Sequence, residues 1–391
     1  MKPFALYIHI PFCLSKCKYC DFYSVCVRNF PKKEYFKSLI NDFLFQSQKL
    51  IWKDRRISSI YFGGGTPSLI EPFFYNDFIN IVKENFKLED NIEITLEANP
   101  RTLTKEKLFG YKELGINRIS LGVQSFNNEI LKFLGRAHGV NDTFESIGLI
   151  KDAGFKNISL DLIYGIPSQT LNDIKHDLEI IKNLDVSHIS YYSLIIEEKT
   201  AFYKLREEGK IKEVGDTLFV KMDNEISNTL KDFGFTRYEI SNYSKFGFES
   251  KHNLAYWESK DFLGLGASAY SGYLKYNDNN FPTGNVRYAN VRSYKDYINI
   301  INSNEIEKLY SYYEENDLNT TMFEYIMMGL RKKNGVSFKE FEKIFNKNFL
   351  ALYSDVVLKL EKENLINVTK DRVRINEDKV LLSNSIIEEF L

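Results

Sequence analysis

Six short β-rich runs in the first half of the chain are separated by helical patterns, and no other feature restricts the possible folds as much. The runs are "FALYIHI" (4–10), "ISSIYF" (57–62), "IEITLEA" (92–98), "NRISLGV" (117–123), "NISLDLIY" (157–164) and "HISYYSLII" (188–196). Residues 34–51, 73–86, 104–114, 142–153 and 171–184 between them carry the apolar period of helices. Gly115 and Gly154 follow two of these helices closely, where a left-handed cap residue belongs. Repeated βα units predict a parallel sheet with right-handed crossovers. A row of six is short of the closed eight-stranded barrel. The expected fold class is therefore α/β, an incomplete, open (β/α)6 relative of the TIM barrel, with a flat doubly wound sheet as the alternative.

The rest of the chain reads differently. Seven of the eight prolines lie within residues 1–167, the last is Pro282, and none follows. From about residue 318 the pattern turns helical ("TTMFEYIMMGLRKK", "SFKEFEKIF", "FLALYSDVVLKLEKENL"), then comes a β-ribbon ("LINVTKDRVRI") and a final helix. That order resembles a winged-helix module. The expected divisions are 1–240 for the partial barrel, 241–317 for a connecting region and 318–391 for a mostly helical C-terminal domain. A net charge of −1 over 391 residues argues against nucleic acid as a partner, because phosphate binding needs a marked cationic excess. No apolar run approaches bilayer-spanning length. Pro3, His9 and Pro11 interrupt the opening stretch, which does not read as an export signal.

All four cysteines fall in "CLSKCKYCDFYSVC", Cys13 to Cys26. A disulfide framework would spread them around the fold, whereas one tight group marks a local site in a reducing compartment, with the cytoplasm as the default. Cys13, Cys17 and Cys20 are spaced C-x3-C-x2-C. Three thiolates from one loop can cap three irons of a [4Fe–4S] cluster and leave the fourth open to another ligand. A zinc site closed by Cys26 or His9 is the competing reading. Polar and glycine-rich stretches also gather at the strand ends, where parallel βα folds bind ligands. "GGGTP" (63–67) follows the second run, Glu97 ends the third, Gln124 follows the fourth, and Asp161 sits within the largely apolar fifth, where a carboxylate needs a partner.

"YIHIPFCLSKCKYCDFYS" resembles the N-terminal signature of radical S-adenosylmethionine proteins, in the branch shared by oxygen-independent coproporphyrinogen III oxidases and HemW-type haem chaperones. The resemblance extends over nearly the whole chain. It implies the radical S-adenosylmethionine type of partial barrel, a [4Fe–4S] cluster on Cys13, Cys17 and Cys20, and S-adenosylmethionine on the open iron. It also implies cofactor contacts from Tyr7, the Gly64–Gly65–Thr66 loop, Glu97, Gln124, Arg136 in "LGRAH", and Asp161. Cys26 lies outside the motif.

Two features separate the branches. The oxidases carry a further cysteine two positions after the third, and here that position is Phe22. "HNLAYW" (252–257) resembles the H-N-x-x-Y-W motif of the haem chaperones. The resemblance implies haem as a third bound group, with His252 as a candidate axial ligand and Tyr256 and Trp257 packing on the porphyrin. The partners implied are haem and haem-accepting apoproteins, respiratory and membrane-associated ones among them, with a homodimer left open. Coproporphyrinogen oxidation remains the alternative function.

Overall fold

The computed structural model describes residues 3–27 and 29–391. Six parallel strands form its centre: β1 (Phe4–Ile10), β2 (Arg56–Gly64), β3 (Lys87–Ala98), β4 (Arg118–Gln124), β5 (Asn157–Tyr164) and β6 (His188–Ser193). They lie side by side in chain order, and each crossover carries a helix, among them Lys32–Ser47, Pro72–Asn85 and Leu171–Lys182. These strands are apolar on both faces because helices cover one side and their own side chains fill the other. Phe4, Leu6, Ile8, Phe62, Leu96, Leu121 and Leu160 are all buried.

The sheet does not close on itself. Asn242–Ser244 pairs antiparallel with β6, and Thr236–Arg237 pairs with it in turn. On the other flank Phe262–Leu265 lies parallel to β1, and the antiparallel strands Tyr270–Tyr276, Pro282–Asn290 and Tyr310–Asp317 continue outward. Most of the region between 241 and 317, expected as a connection, thus extends the same sheet to twelve strands. Its signal is weaker because aromatic and polar residues alternate on a half-exposed antiparallel edge.

Residues beyond 317 run as helix Leu318–Leu330, strand Val336–Ser337, helices Phe338–Phe345 and Phe349–Lys362, ribbon strands Ile366–Val368 and Arg372–Ile375, and helix Ser383–Glu388. The three strands form a sheet of their own, with Arg372–Ile375 in the middle. This unit has a separate apolar core around Phe341, Phe345, Phe349 and Phe390. Arg287 on the main sheet ties it down with an ion pair to Glu324 at 2.6 Å.

Separate cores should unfold separately. Phe341→Ala should cost the C-terminal unit about 3–5 kcal/mol. In denaturant titration this should move one transition and leave the barrel's in place, and a single shared transition that moves as a whole would contradict the division at 318.

Candidate functional site

The ends of β1 and β2 are stitched together past their paired length. The N–H of Gly65 donates to the Ile10 carbonyl and that of Thr66 to the Phe12 carbonyl, each at 2.8 Å. A Cβ on Gly65 would stand 2.8 Å from both carbonyl oxygens, so only glycine permits the contact. Gly64 adopts φ +110°, and a Cβ there would meet the His9 ring at 2.5 Å. The backbone bends sharply enough to turn the Gly64–Thr66 segment toward the cysteine loop.

That loop is itself pinned. Phe12–Cys13 pairs with Val25–Cys26, His9 Nε2 bonds the Tyr23 carbonyl at 2.8 Å, and the Lys18 N–H donates to the Leu134 carbonyl at 3.0 Å. Cys13, Cys17 and Cys20 are half-buried and Cys26 is exposed. The three motif thiols line a cavity of about 810 Å³, together with Gly64, Gly65, Thr66, Glu97, Gln124, Arg136 and Asp161. The cavity opens at the C-terminal strand ends and reaches down to Arg118 at the start of β4.

Each thiol environment has a donor or a burial effect that bears on its chemistry. The Thr66 hydroxyl donates to Cys13 Sγ at 3.5 Å and Arg136 Nη1 to Cys17 Sγ at 3.4 Å. Burial pushes the Cys20 thiol up to about 11, so an iron would displace its proton on binding. Among the described residues no three His, Cys, Asp or Glu side chains could share one metal ion. The three motif thiols share one cavity, and Cys26 lies outside its lining.

The strand-end carboxylates and amides are fixed acceptors. Glu97 accepts from Tyr61 Oη at 2.8 Å and from the Gly64 N–H at 3.0 Å. Burial raises its pKa to about 7. Asp161 accepts from the Ser120 hydroxyl at 2.9 Å, which answers its need for a partner, and burial raises its pKa to about 6. Gln124 takes φ +69° and accepts from Tyr192 Oη at 2.9 Å.

Two expected contacts lie elsewhere. Tyr7 does not line the cavity; its hydroxyl meets His9 Nδ1 at 3.0 Å behind the glycine loop. His252 is buried at 1% exposure, with Nδ1 on Ser59 Oγ at 2.9 Å and Nε2 on Tyr256 Oη at 3.1 Å. Both ring nitrogens are engaged and burial lowers its pKa to about 3. A coordinating nitrogen of His252 would first have to give up one of these interior hydrogen bonds. Its ring stacks on Tyr61 at 4.8 Å, and Tyr61 in turn holds Glu97. Tyr256 packs on Phe262, and Trp257 lies under Arg331. Asn253 is the residue of that motif on the cavity wall.

Three participants escaped the sequence reading. Asn99 accepts from Arg136 Nη2 and donates to Thr66 Oγ1 at 2.9 Å. Tyr61 and Tyr192 orient Glu97 and Gln124. Asn99 stands two residues after Glu97 in "LEANP", and its position before Pro100 was the available signal.

A nearly parallel six-stranded open barrel, a three-thiol loop at the end of its first strand and a glycine loop at the end of its second define a radical S-adenosylmethionine protein. The Radical SAM superfamily profile matches residues 7–181 and the HemN C-terminal domain profile matches residues 316–380. The chain is 35% identical over 396 residues to "Heme chaperone HemW" of Lactococcus lactis, covering 100% of this chain and 98% of that protein. It is also 35% identical over 388 residues to the protein of the same name in Bacillus subtilis, covering 98% of each. It belongs to the HemW family of the radical S-adenosylmethionine superfamily. The solved structure of coproporphyrinogen III oxidase from Escherichia coli superposes with a TM-score of 0.81 at 21% identity, covering 99% of this chain and 90% of that one, and shares the fold.

Thiols inside the cavity and a thiol outside it should behave differently. Cys17→Ser should abolish the charge-transfer absorbance gained on anaerobic reconstitution with iron and sulfide, while Cys26→Ser should leave it. Equal loss in both would indicate a closed four-cysteine site.

Proposed function

We propose that the chain is a haem chaperone that holds a [4Fe–4S] cluster on Cys13, Cys17 and Cys20, binds S-adenosylmethionine beside it, and passes haem to acceptor proteins. Phe22 is the observation that carries the reading. It lines the cavity with 70% of its surface exposed, where the oxidases place a cysteine. An apolar ring at that point offers contact area and no sulfur chemistry. The name borne by the full-length relatives supports the same conclusion.

When bound, the cluster supplies the electron that cleaves the sulfonium of S-adenosylmethionine. The chain's own residues set the conditions for it. Thr66 and Arg136 donate hydrogen bonds to sulfur, which raises a cluster's reduction potential. The Gly64–Thr66 backbone presents polar groups to the cofactor's amino end at close range. Glu97, Gln124 and Asp161 are acceptors for its ribose and adenine, each held by a hydroxyl from another strand of the sheet. His252, stacked on Tyr61, braces the group that orients Glu97.

The acceptors of haem would be met by a protein in which, among the described residues, no helix is long and apolar enough to cross a membrane. Coproporphyrinogen oxidation finds no support in the residues at the cavity mouth.

Glu97→Ala should weaken S-adenosylmethionine binding about tenfold or more, from the loss of roughly 1–3 kcal/mol of hydrogen bonding. Calorimetry on the reconstituted protein checks this, and unchanged affinity would make Glu97 purely structural. In the wild type, affinity should rise as pH increases through about 7, because the raised pKa of Glu97 leaves it protonated, and a poorer acceptor, below that value. The reconstituted protein should bind haemin and leave coproporphyrinogen III unconverted under anaerobic, reducing conditions with S-adenosylmethionine. Formation of protoporphyrinogen IX would return it to the oxidases.

A further inference from the structure

We propose that Asp177 is a positioning residue for S-adenosylmethionine: from behind the cavity wall it holds Gln124 in a strained turn that sets where the Gln124 amide stands. The inference rests on the reading of Gln124 as a contact of that cofactor, and it adds a residue that the cavity lining does not contain.

The strain is local and visible in the backbone. In the pairing of β4 with β5, Gly122 lies opposite Asp161 and Gln124 opposite Leu162. Val123 is therefore an extra residue on β4, a bulge of the kind that re-aims a side chain. The Ser125 N–H then donates to the Val123 carbonyl at 3.0 Å, across Gln124 at φ +69°. A bond spanning one residue of positive φ is the rarer of the two γ-turns and is strained. Glutamine has none of the tolerance for that region that glycine or asparagine has. Such strain persists only where the surroundings fix it, and it concentrates at functional sites. Gly122 leaves room for the amide, since a Cβ there would stand 2.9 Å from Gln124 Nε2.

The fixing comes from helix Leu171–Lys182, which crosses from β5 to β6. Asp177 on that helix is fully buried. Its carboxylate accepts from the Phe126 N–H at 2.8 Å and from the Ser125 hydroxyl at 3.1 Å. One turn earlier on the same face, Asp173 accepts from Asn127 Nδ2 at 3.1 Å. The Ser125 hydroxyl accepts in turn from the Asn127 N–H at 3.2 Å. All three residues after Gln124 are thus held by one helix. Burying a carboxylate is costly, and the leading bonds that offset the cost come from this turn. Neither Asp177 nor Ser125 lines the cavity, so both act on the cofactor through Gln124.

The test is a double-mutant cycle, read by calorimetric titration of the reconstituted full chain with S-adenosylmethionine. Gln124→Ala should weaken binding about tenfold. Asp177→Ala should weaken it about fivefold, with the cluster absorbance unchanged. Asp177→Ala combined with Gln124→Ala should bind no more weakly than Gln124→Ala alone, because the turn then has no amide to place. Asp177→Asn keeps an acceptor for the Phe126 N–H and should stay within about twofold of wild type. Ser125→Ala leaves the Phe126 bond in place, so it supplies the same cycle, with a loss of about threefold, even if Asp177→Ala folds poorly. Losses that add in the double variants would show a merely structural role and overturn the proposal. Wild-type affinity in both Asp177→Ala and Ser125→Ala would overturn it too, as would a loss in Asp177→Asn as large as in Asp177→Ala. Unchanged affinity in Gln124→Ala would overturn the reading of Gln124 as a cofactor contact, and this proposal with it.

Discussion

Two backbone hydrogen bonds, Gly65 to Ile10 and Thr66 to Phe12, hold together the parts on which any cofactor chemistry depends. They continue the pairing of β1 and β2 after both strands have left the sheet. One partner leads into the cysteine loop and the other forms the glycine loop, so a cluster and the molecule beside it are positioned by a main-chain contact. Side chains could not make this contact so close, because a methyl on Gly65 would displace the carbonyls that accept the bonds. Fixing both loops before any ligand arrives removes an ordering cost from binding.

Arg136 performs the same service across the cavity. Its guanidinium reaches Cys17 Sγ, the Gly122 carbonyl at 2.8 Å and Asn99 Oδ1, and Asn99 in turn bonds Thr66. A planar donor fork suits several acceptors in fixed directions, which a lysine would not. The arginine thereby links the ends of β3 and β4 to the cysteine loop, and it places a permanent positive charge beside sulfurs that become anionic on binding iron. Two positions on, His138 shares the short loop "GRAHG" and meets the Val123 carbonyl at 3.2 Å, so the loop is fixed to the end of β4 as well.

Much of this was legible because parallel strands announce themselves twice, once by continuous apolar runs and again by the polar residues at their ends. The six runs match β1–β6 closely, and seven of the residues expected to hold S-adenosylmethionine line the cavity. The strand-end pattern could not show whether a residue faces the cavity or sits behind it. Tyr7 lies inside β1, and only the pleat and the stacking neighbours decide which way its ring turns. The edge strands after residue 261 were missed as sheet because half-exposed antiparallel strands alternate in polarity, and their aromatic residues also suit loops. The motif around His252 did not show that the residue is buried. Its spacing from Tyr256 was the available signal, since residues four apart share a helix face, and that face of Lys251–Trp257 turns inward.

The buried motif then has a physical role. Glu93 accepts from the N–H groups of Lys251 and His252, at 3.2 and 3.1 Å, and so anchors the start of that short helix. The helix drives His252 against Tyr61, and Tyr61 gives its only proton to Glu97. A change at the helix is therefore transmitted to the cofactor wall by ring stacking and one hydrogen bond. The motif residue His252 thus braces the wall that holds Glu97.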